Sequence, residues 1–263
     1  MSSDLQARLQ FGLQAAAAVQ PLILGHYQSA DLAVEAKSDA SPVTIADRGA
    51  EQRIRERLAD AFPHDGVFGE EFGETTGTTV YRWILDPIDG TKAFVAGVPL
   101  FGTMIGLERD GACVAGIIRF PALDEVVYAQ QGQGAWLQRG QRSAERVHVS
   151  QTGSLRTALG CFTDVDGWAK EKKLAQFNRY CSSLRIARGW GDCYGHALVA
   201  LGRADVMVDP LLNPWDAAAV LPIVTEAGGD FVDWTGRSHI DGGNGVSTNG
   251  RLTTELLQML QPQ

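Results

Sequence analysis

The chain has 263 residues, 44% of them hydrophobic and 21% charged, an ordinary globular composition and a length beyond one simple domain. Its net charge of -8 argues against a nucleic-acid surface, which needs a basic stripe, and favours cationic ligands wherever no metal inverts the local sign. Cys113, Cys161, Cys181 and Cys193 form no C-x-x-C pair, the opening MSSDLQARLQ has no apolar signal core, and no apolar run is long enough for a bilayer, so the expectation is a cytoplasmic protein with reduced thiols and no membrane partner.

In chain order, the first predicted element is a helix over 4–27. Leu5, Leu9, Leu13, Ala16, Ala17 and Ile23 or Leu24 recur at helical spacing, Ser3 or Asp4 caps the start, and Pro21 is expected to kink or break it. The polar segment AKSDASP at 36–42 reads as a loop. A second helix begins with Thr44 and Asp47 as a capping box and carries the stripe Ala50, Ile54, Leu58 and Phe62 until Pro63 and His64-Asp65-Gly66 stop it. Val67-Phe68-Gly69 is a short strand running into Glu70-Glu71, and Trp83-Ile84-Leu85 a buried strand running into Asp86 and Asp89. Segments 100–107, 112–120, 125–130 and 134–138, separated by turn residues, predict antiparallel hairpins. Beyond about 150 the texture alternates. Strands are expected at 155–162, 184–188, 204–209, 231–234 and 245–248, and helices at 167–182, 192–201, 214–227 and 253–260. The fold class is α/β with an α+β first half. Residues 1–150 read as a subdomain with an antiparallel sheet and most candidate metal ligands, and 151–263 as an α/β subdomain contributing Asp216 and pocket residues, with a ligand cleft between them.

The stretch WILDPIDGTKAFVAG, 83–97, concentrates the chemistry. A carboxylate at the end of a strand projects into the crevice beyond the sheet. Asp86 and Asp89, three apart with Pro87 stiffening the turn, converge, and two convergent carboxylates repel unless a cation sits between them. A hard divalent ion such as magnesium suits a few carboxylates, water and a phosphate. Gly90-Thr91 then open a helix whose amides and dipole favour an anion, and the glycine permits close approach. A cation site beside an anion site is what a phosphate-ester hydrolase needs. Glu70-Glu71 repeat the strand-then-acid design, and Asp216 in Pro214-Trp215-Asp216 is a further candidate acid. Each residue also has a purely structural role open to it. Asp-Pro and Asp-Gly are turn dipeptides, and Asp47, Asp89 and Asp216 stand where helix caps stand.

Gly69-Glu70-Glu71, Asp86-Pro87-Ile88-Asp89-Gly90-Thr91, and Trp215-Asp216 with Ala227-Gly228-Gly229 resemble, in order and separation, the three signatures of the inositol monophosphatase superfamily. The resemblance covers nearly the whole chain. It implies a layered αβαβα sandwich, often dimeric, and a magnesium-dependent phosphatase with two or three ions, usually inhibited by lithium. By position it implies Glu70, Asp86 and the Ile88 carbonyl as ligands of one metal and Asp86, Asp89 and Asp216 as ligands of another. It makes Gly90 and Thr91 the phosphate-holding amides, and Thr91 with Asp47 the hydroxyl–carboxylate pair that prepares the attacking water. Glu70 is also placed on a third, weaker magnesium, and Lys37-Ser38-Asp39 resembles the family's lid. Thr91-Lys92-Ala93-Phe94, Gly97 to Thr103, and Arg188 to His196 are most similar to the histidinol-phosphatase branch. That branch implies a substrate with a cationic amine, met by Asp192 and Asp209 with Arg188 and Trp190 on the same wall. Asp209 aligns with a position that contacts the leaving alcohol. The alternatives are an inositol, sugar or nucleotide phosphatase, and a non-catalytic phosphate-ester-binding protein on the same fold. Arg188 also reads as a surface strand end, Trp190 as packing, Asp209 as a strand terminus and His196 as a hydrogen-bonded core histidine.

Overall fold

Apolar spacing makes the first helix. In α1 (Ser3–His26), Leu5, Leu9, Ala15, Ala16, Val19 and Ile23 are buried. Pro21 does not break it: a missing N–H removes one hydrogen bond, while the buried Val19 and Ile23 pin the turns on either side. The computed structural model describes residues 3–29, 34–36 and 42–261, so the lid segment Lys37-Ser38-Asp39 lies outside the described residues. The ends of the expected loop, residues 36 and 42, belong instead to an antiparallel pair, β1 (Val34–Ala36) and β2 (Pro42–Thr44). α2 (Ile45–Ala61) follows from its capping box, with Thr44 N donating to Asp47 Oδ2 at 2.8 Å and Ala46 N donating to Thr44 Oγ1 at 3.1 Å.

The first sheet is built from β3 (Gly66–Gly69), β4 (Gly73–Thr75), β5 (Tyr81–Asp89), β6 (Gly102–Arg109), β7 (Ala112–Phe120), β8 (Glu125–Gln130), β9 (Ala135–Arg139) and β10 (Glu145–Val147), with the short α3 (Thr91–Val95) after β5. Its order is β10-β9-β8-β7-β6-β5-β3-β4. The hairpins from β5 through β10 are antiparallel, as their turn spacing predicts, and β3 joins β5 in parallel.

The second half holds β11 (Leu159–Phe162), α4 (Val165–Lys170), α5 (Leu174–Ser183), β12 (Ile186–Arg188), α6 (Asp192–Ala200), β13 (Val206–Asp209), α7 (Pro214–Ala218), α8 (Val220–Glu226), β14 (Asp230–Val232), β15 (Gly245–Thr248) and α9 (Thr253–Leu260). Its sheet runs β12-β11-β13-β15-β14, the first three strands parallel and the rest antiparallel. Three expectations are corrected. Residues 155–157 form a 3₁₀ turn before the strand. The helix expected over 167–182 is two, parted where Lys172 takes φ +57°. The one expected over 214–227 is divided at Ala219.

Three apolar cores separate five layers. One lies between α1–α2 and the first sheet, one between that sheet and α6–α8 on the second sheet, and one between the second sheet and α4, α5 and α9. This is the αβαβα sandwich. The middle helices sit directly on the first sheet because that sheet presents glycines there. A Cβ at Gly106 would lie 2.5 Å from Ala218 Cβ, and one at Gly116 would lie 2.1 Å from Ala219 O. That close approach brings Asp216 of α7 to the end of β5.

Candidate active site

Residues three apart in a regular strand face opposite sides of the sheet. Asp86 and Asp89 do not, because β5 carries a bulge between them. Asp86 pairs with Met104 and Asp89 with Gly102, so three steps on β5 oppose two on β6. The extra residue changes the parity and turns both carboxylates into one crevice. Ile88 N donates to Asp86 Oδ1 at 3.1 Å across Pro87, and Thr103 Oγ1 donates to Pro87 O at 2.9 Å, which fixes the bulge. Asp216 arrives from α7, where its Oδ2 accepts from Asn213 N at 2.7 Å. Its capping role and its place among the acids are therefore compatible. One oxygen each from Asp86, Asp89 and Asp216 lies within 4.8 Å of the others, Asp86 buried and the other two half-buried. Glu70, just past β3, brings its carboxyl to hydrogen-bonding reach of Asp86.

Glu51 sets the turn that carries Glu70. It is fully buried on α2 and accepts from Glu71 N at 2.8 Å and Phe72 N at 3.2 Å, while Arg55 Nε braces it at 2.7 Å. A Cβ on Gly69 would lie 2.1 Å from Glu51 Oε1, so the glycine makes room for this carboxylate. Sequence reasoning passed over Glu51. A signal existed: it lies four residues after Asp47, on the same side of one helix.

The electrostatics of the cluster call for a cation. Burial first, then Glu70, Asp89 and Asp216, push Asp86 well above the usual carboxylate range. Burial, Asp192 and Asp216 do the same to Asp89, against the hydrogen bond it accepts from Cys193 N. Asp216 rises to about 7 through burial, opposed by the Asn213 amide and reinforced by Glu70. Repelling, dehydrated carboxylates with oxygen as their donor atom fit a hard divalent ion better than zinc or copper.

Beside them, Gly90 takes φ +82°, where a side chain would be strained and its Cβ would lie 3.1 Å from Leu100 O and 3.2 Å from Asp192 Oδ2. α3 then starts without a side-chain cap. Thr91 Oγ1 donates to Ile88 O at 3.0 Å and lies 3.5 Å from Asp47 Oδ1. Burial, against the bonds from Thr44, pushes Asp47 up to about 6.

A pocket opens on the far side of Asp89 and Asp216, its wall including Asp164, Asp192, His196 and Asp209. Burial, with Asp209 and Asp216, pushes Asp192 up to about 7. Lys92, on α3, reaches across to Asp164 at 2.6 Å. Asp209 ends β13 and meets His196 at 3.1 Å, so His196 is a buried, hydrogen-bonded histidine that also lines the pocket. Arg188 is not brought in: it is exposed on the edge strand, outside the pocket lining, with Nη1 donating to Ala187 O at 2.8 Å. Among the described residues, no helix is long and apolar enough to cross a membrane.

A family model described as the inositol monophosphatase family matches residues 4–262. A histidinol-phosphatase of Chlorobaculum parvum is 43% identical over 98% of this chain and 96% of its own. An inositol-1-monophosphatase of Mesorhizobium japonicum is 35% identical over 88% and 87%. A solved IMPase structure from Thermotoga maritima superposes with a TM-score of 0.85 at 32% identity, covering 97% of this chain and 96% of that one.

Proposed function

The chain belongs to the inositol monophosphatase family, and from that premise we propose that it is a magnesium-dependent phosphomonoesterase converting L-histidinol phosphate to L-histidinol and phosphate. The observation that carries the substrate choice is the acidic wall. Asp192 and Asp209 line the pocket beside Asp89 and Asp216. Histidinol phosphate has a cationic amine to meet that wall, and a polyol phosphate has none. The higher identity to a histidinol-phosphatase than to an inositol-1-monophosphatase supports the same choice.

Glu70, Asp86, Asp89 and Asp216, with the Ile88 carbonyl, would hold two or three magnesium ions. When bound, the ions supply charge that neutralises the phosphoryl oxygens and acidifies water. The chain's own residues do the placing. The amides of Gly90 and Thr91, at an uncapped helix start, hold the phosphate. The single Thr91 hydroxyl proton goes to Ile88 O in this fold; were that carbonyl given to a metal, the proton would turn to Asp47, ionised above about pH 6 and 3.5 Å away, which readies the hydroxyl to accept one from the attacking water. Glu51 fixes the turn bearing Glu70. Asp192 and Asp209 bind the leaving alcohol. Phosphoryl transfer leaves little covalent work to a protein, so positioning and charge dominate. The proposal extends to a division into subdomains near residue 150 and to a cytoplasmic homodimer whose partner is a small phosphate ester.

The test is kcat/KM of the purified protein with magnesium on histidinol phosphate, inositol 1-phosphate and adenosine 3′,5′-bisphosphate. The first is expected to lead by at least about tenfold, the worth of one good charged contact. A lead for inositol 1-phosphate would replace the substrate.

A further inference from the structure

The Asp209 carboxylate is 2% exposed, and its two oxygens are in different situations. Oδ2 is 3.1 Å from His196 Nε2. Oδ1 is buried and has no hydrogen-bond partner in the protein, although Asp209 lines the pocket. An orphaned carboxylate oxygen is costly, and its natural donor is whatever fills the pocket. The two lysines on the pocket lining both face Asp164 and not Asp209: Lys92 is bonded to it at 2.6 Å, and Lys170 adds its charge to the same carboxylate.

His196 decides which oxygen is left over. It is 1% exposed, and its Nδ1 lies 2.7 Å from Ser247 Oγ. A carboxylate oxygen accepts, so Nε2 donates its N–H to Asp209, and in the neutral ring Nδ1 is then the acceptor of the Ser247 hydroxyl. Ser247 is itself fully buried, paired in the sheet with Met207 of β13. The chain of donors therefore runs from β15 through α6 to the end of β13. Gly195 makes it possible: a Cβ there would lie 2.4 Å from Trp190 O and 2.6 Å from Met207 Sδ, so only glycine lets α6 press His196 against β13.

We propose that His196, clamped by Ser247, is a positioning residue that occupies Asp209 Oδ2 and aims Oδ1 at a cationic N–H of the leaving alcohol, and so sets the preference for amine-bearing over neutral alcohols. A carboxylate already makes charge-assisted bonds to hydroxyls; an ammonium adds the attraction of opposite charges in a buried site, which turns the aim of one oxygen into selectivity. The inference rests on the phosphatase reading above.

The experiment measures kcat and KM on histidinol phosphate and inositol 1-phosphate for wild type, His196→Met, His196→Gln and Ser247→Ala, with magnesium present. Methionine fills the space without a donor, and glutamine returns an N–H near the place of Nε2. His196→Met is expected to raise KM for histidinol phosphate about tenfold with kcat down less than about threefold, and to lower selectivity over inositol 1-phosphate about tenfold. His196→Gln recovers most of that selectivity, and Ser247→Ala loses about threefold in the same direction. Thermal melts check folding, and Ser247→Ala carries the test if His196→Met does not fold. Equal losses on both substrates, no loss, or no rescue by glutamine overturns the inference and leaves the phosphatase reading standing. A wild type that prefers inositol 1-phosphate overturns the substrate reading, and the inference with it, before any variant is made.

Discussion

The two sheets bring acids to one crevice by different means. The first uses β5, nine residues long and laddered to β3 and β6 on its two sides, and re-aims its carboxylates with a bulge in the backbone. The second uses the end of a four-residue strand for Asp209 and the starts of α6 and α7 for Asp192 and Asp216. There, individual side-chain bonds fix the geometry. Asp209 rests on His196, Asp216 on the Asn213 amide, and Asp192, at φ +55°, donates its N–H to Thr163 Oγ1 at 2.9 Å. A backbone device is hard to alter one residue at a time, and a side-chain device is easy. Two acids of the cluster, Asp86 and Asp89, thus sit on the rigid sheet, and the third, Asp216, sits with the pocket wall on the adjustable one.

The largest effect expected from this contrast is on the rigid side. Asp86→Asn keeps size and shape but removes one charge from the cluster. Magnesium-dependent phosphate release is expected to fall at least about 1000-fold, about 4 kcal/mol of transition-state stabilisation. The metal-free melting temperature is expected to hold or rise, because a buried, repelled carboxylate is gone. Phosphate release equal to that of wild type would falsify the catalytic assignment.

An intermediate effect sharpens the same contrast through pH. In the metal-free fold, burial and neighbouring acids push Asp192 and Asp216 up to about 7, from an ordinary value of 3.8. Acids raised on folding hold protons that the unfolded chain releases. The stability linked to them is fully present below the unfolded value and is lost as pH rises through about 7. Between about pH 5 and about pH 7.5 the metal-free melting temperature is expected to drop by at least about 4 °C, about 1–2 kcal/mol in a chain of this size. Magnesium should flatten the slope by offsetting the repulsion. Identical slopes with and without magnesium would show that the acids share no ion.

How much of this was legible in the sequence follows from where each cause resides. Asp86 and Asp89 could be read because proline, glycine and a preceding apolar run are local signals. Their convergence, expected from a turn stiffened by Pro87, has another cause: spacing three in a regular strand gives opposite faces, and only the pairing with β6 reveals the bulge that corrects it. The α/β alternation was legible because it is periodic. The split between α4 and α5 was not: Glu171-Lys172-Lys173 contains neither glycine nor proline, and Lys172 takes its left-handed turn without a local marker. Glu51 and His196 act through residues about 20 and 51 positions away, Glu71 and Ser247, a distance no periodicity spans.

The smallest effect concerns the ion pair between α3 and the cap of α4, which joins the two regions at the pocket. Lys92 Nζ meets Asp164 Oδ2 at 2.6 Å, and Asp164 also caps α4 through Gly167 N at 2.7 Å. The geometry is good, but the Lys92 side chain is 63% exposed and Asp164 33%, so water and salt screen the pair. Lys92→Ala is therefore expected to cost no more than about 1 kcal/mol, about 2–4 °C in melting temperature, and the difference should disappear in about 0.5 M salt. A larger, salt-resistant loss would mean that the adjustable wall is held to the rigid sheet by this contact. The shared core between them, in which Ile84, Met104 and Ile118 pack with Ala218, Val220 and Met207, argues otherwise: apolar burial on that scale outweighs a screened surface charge pair.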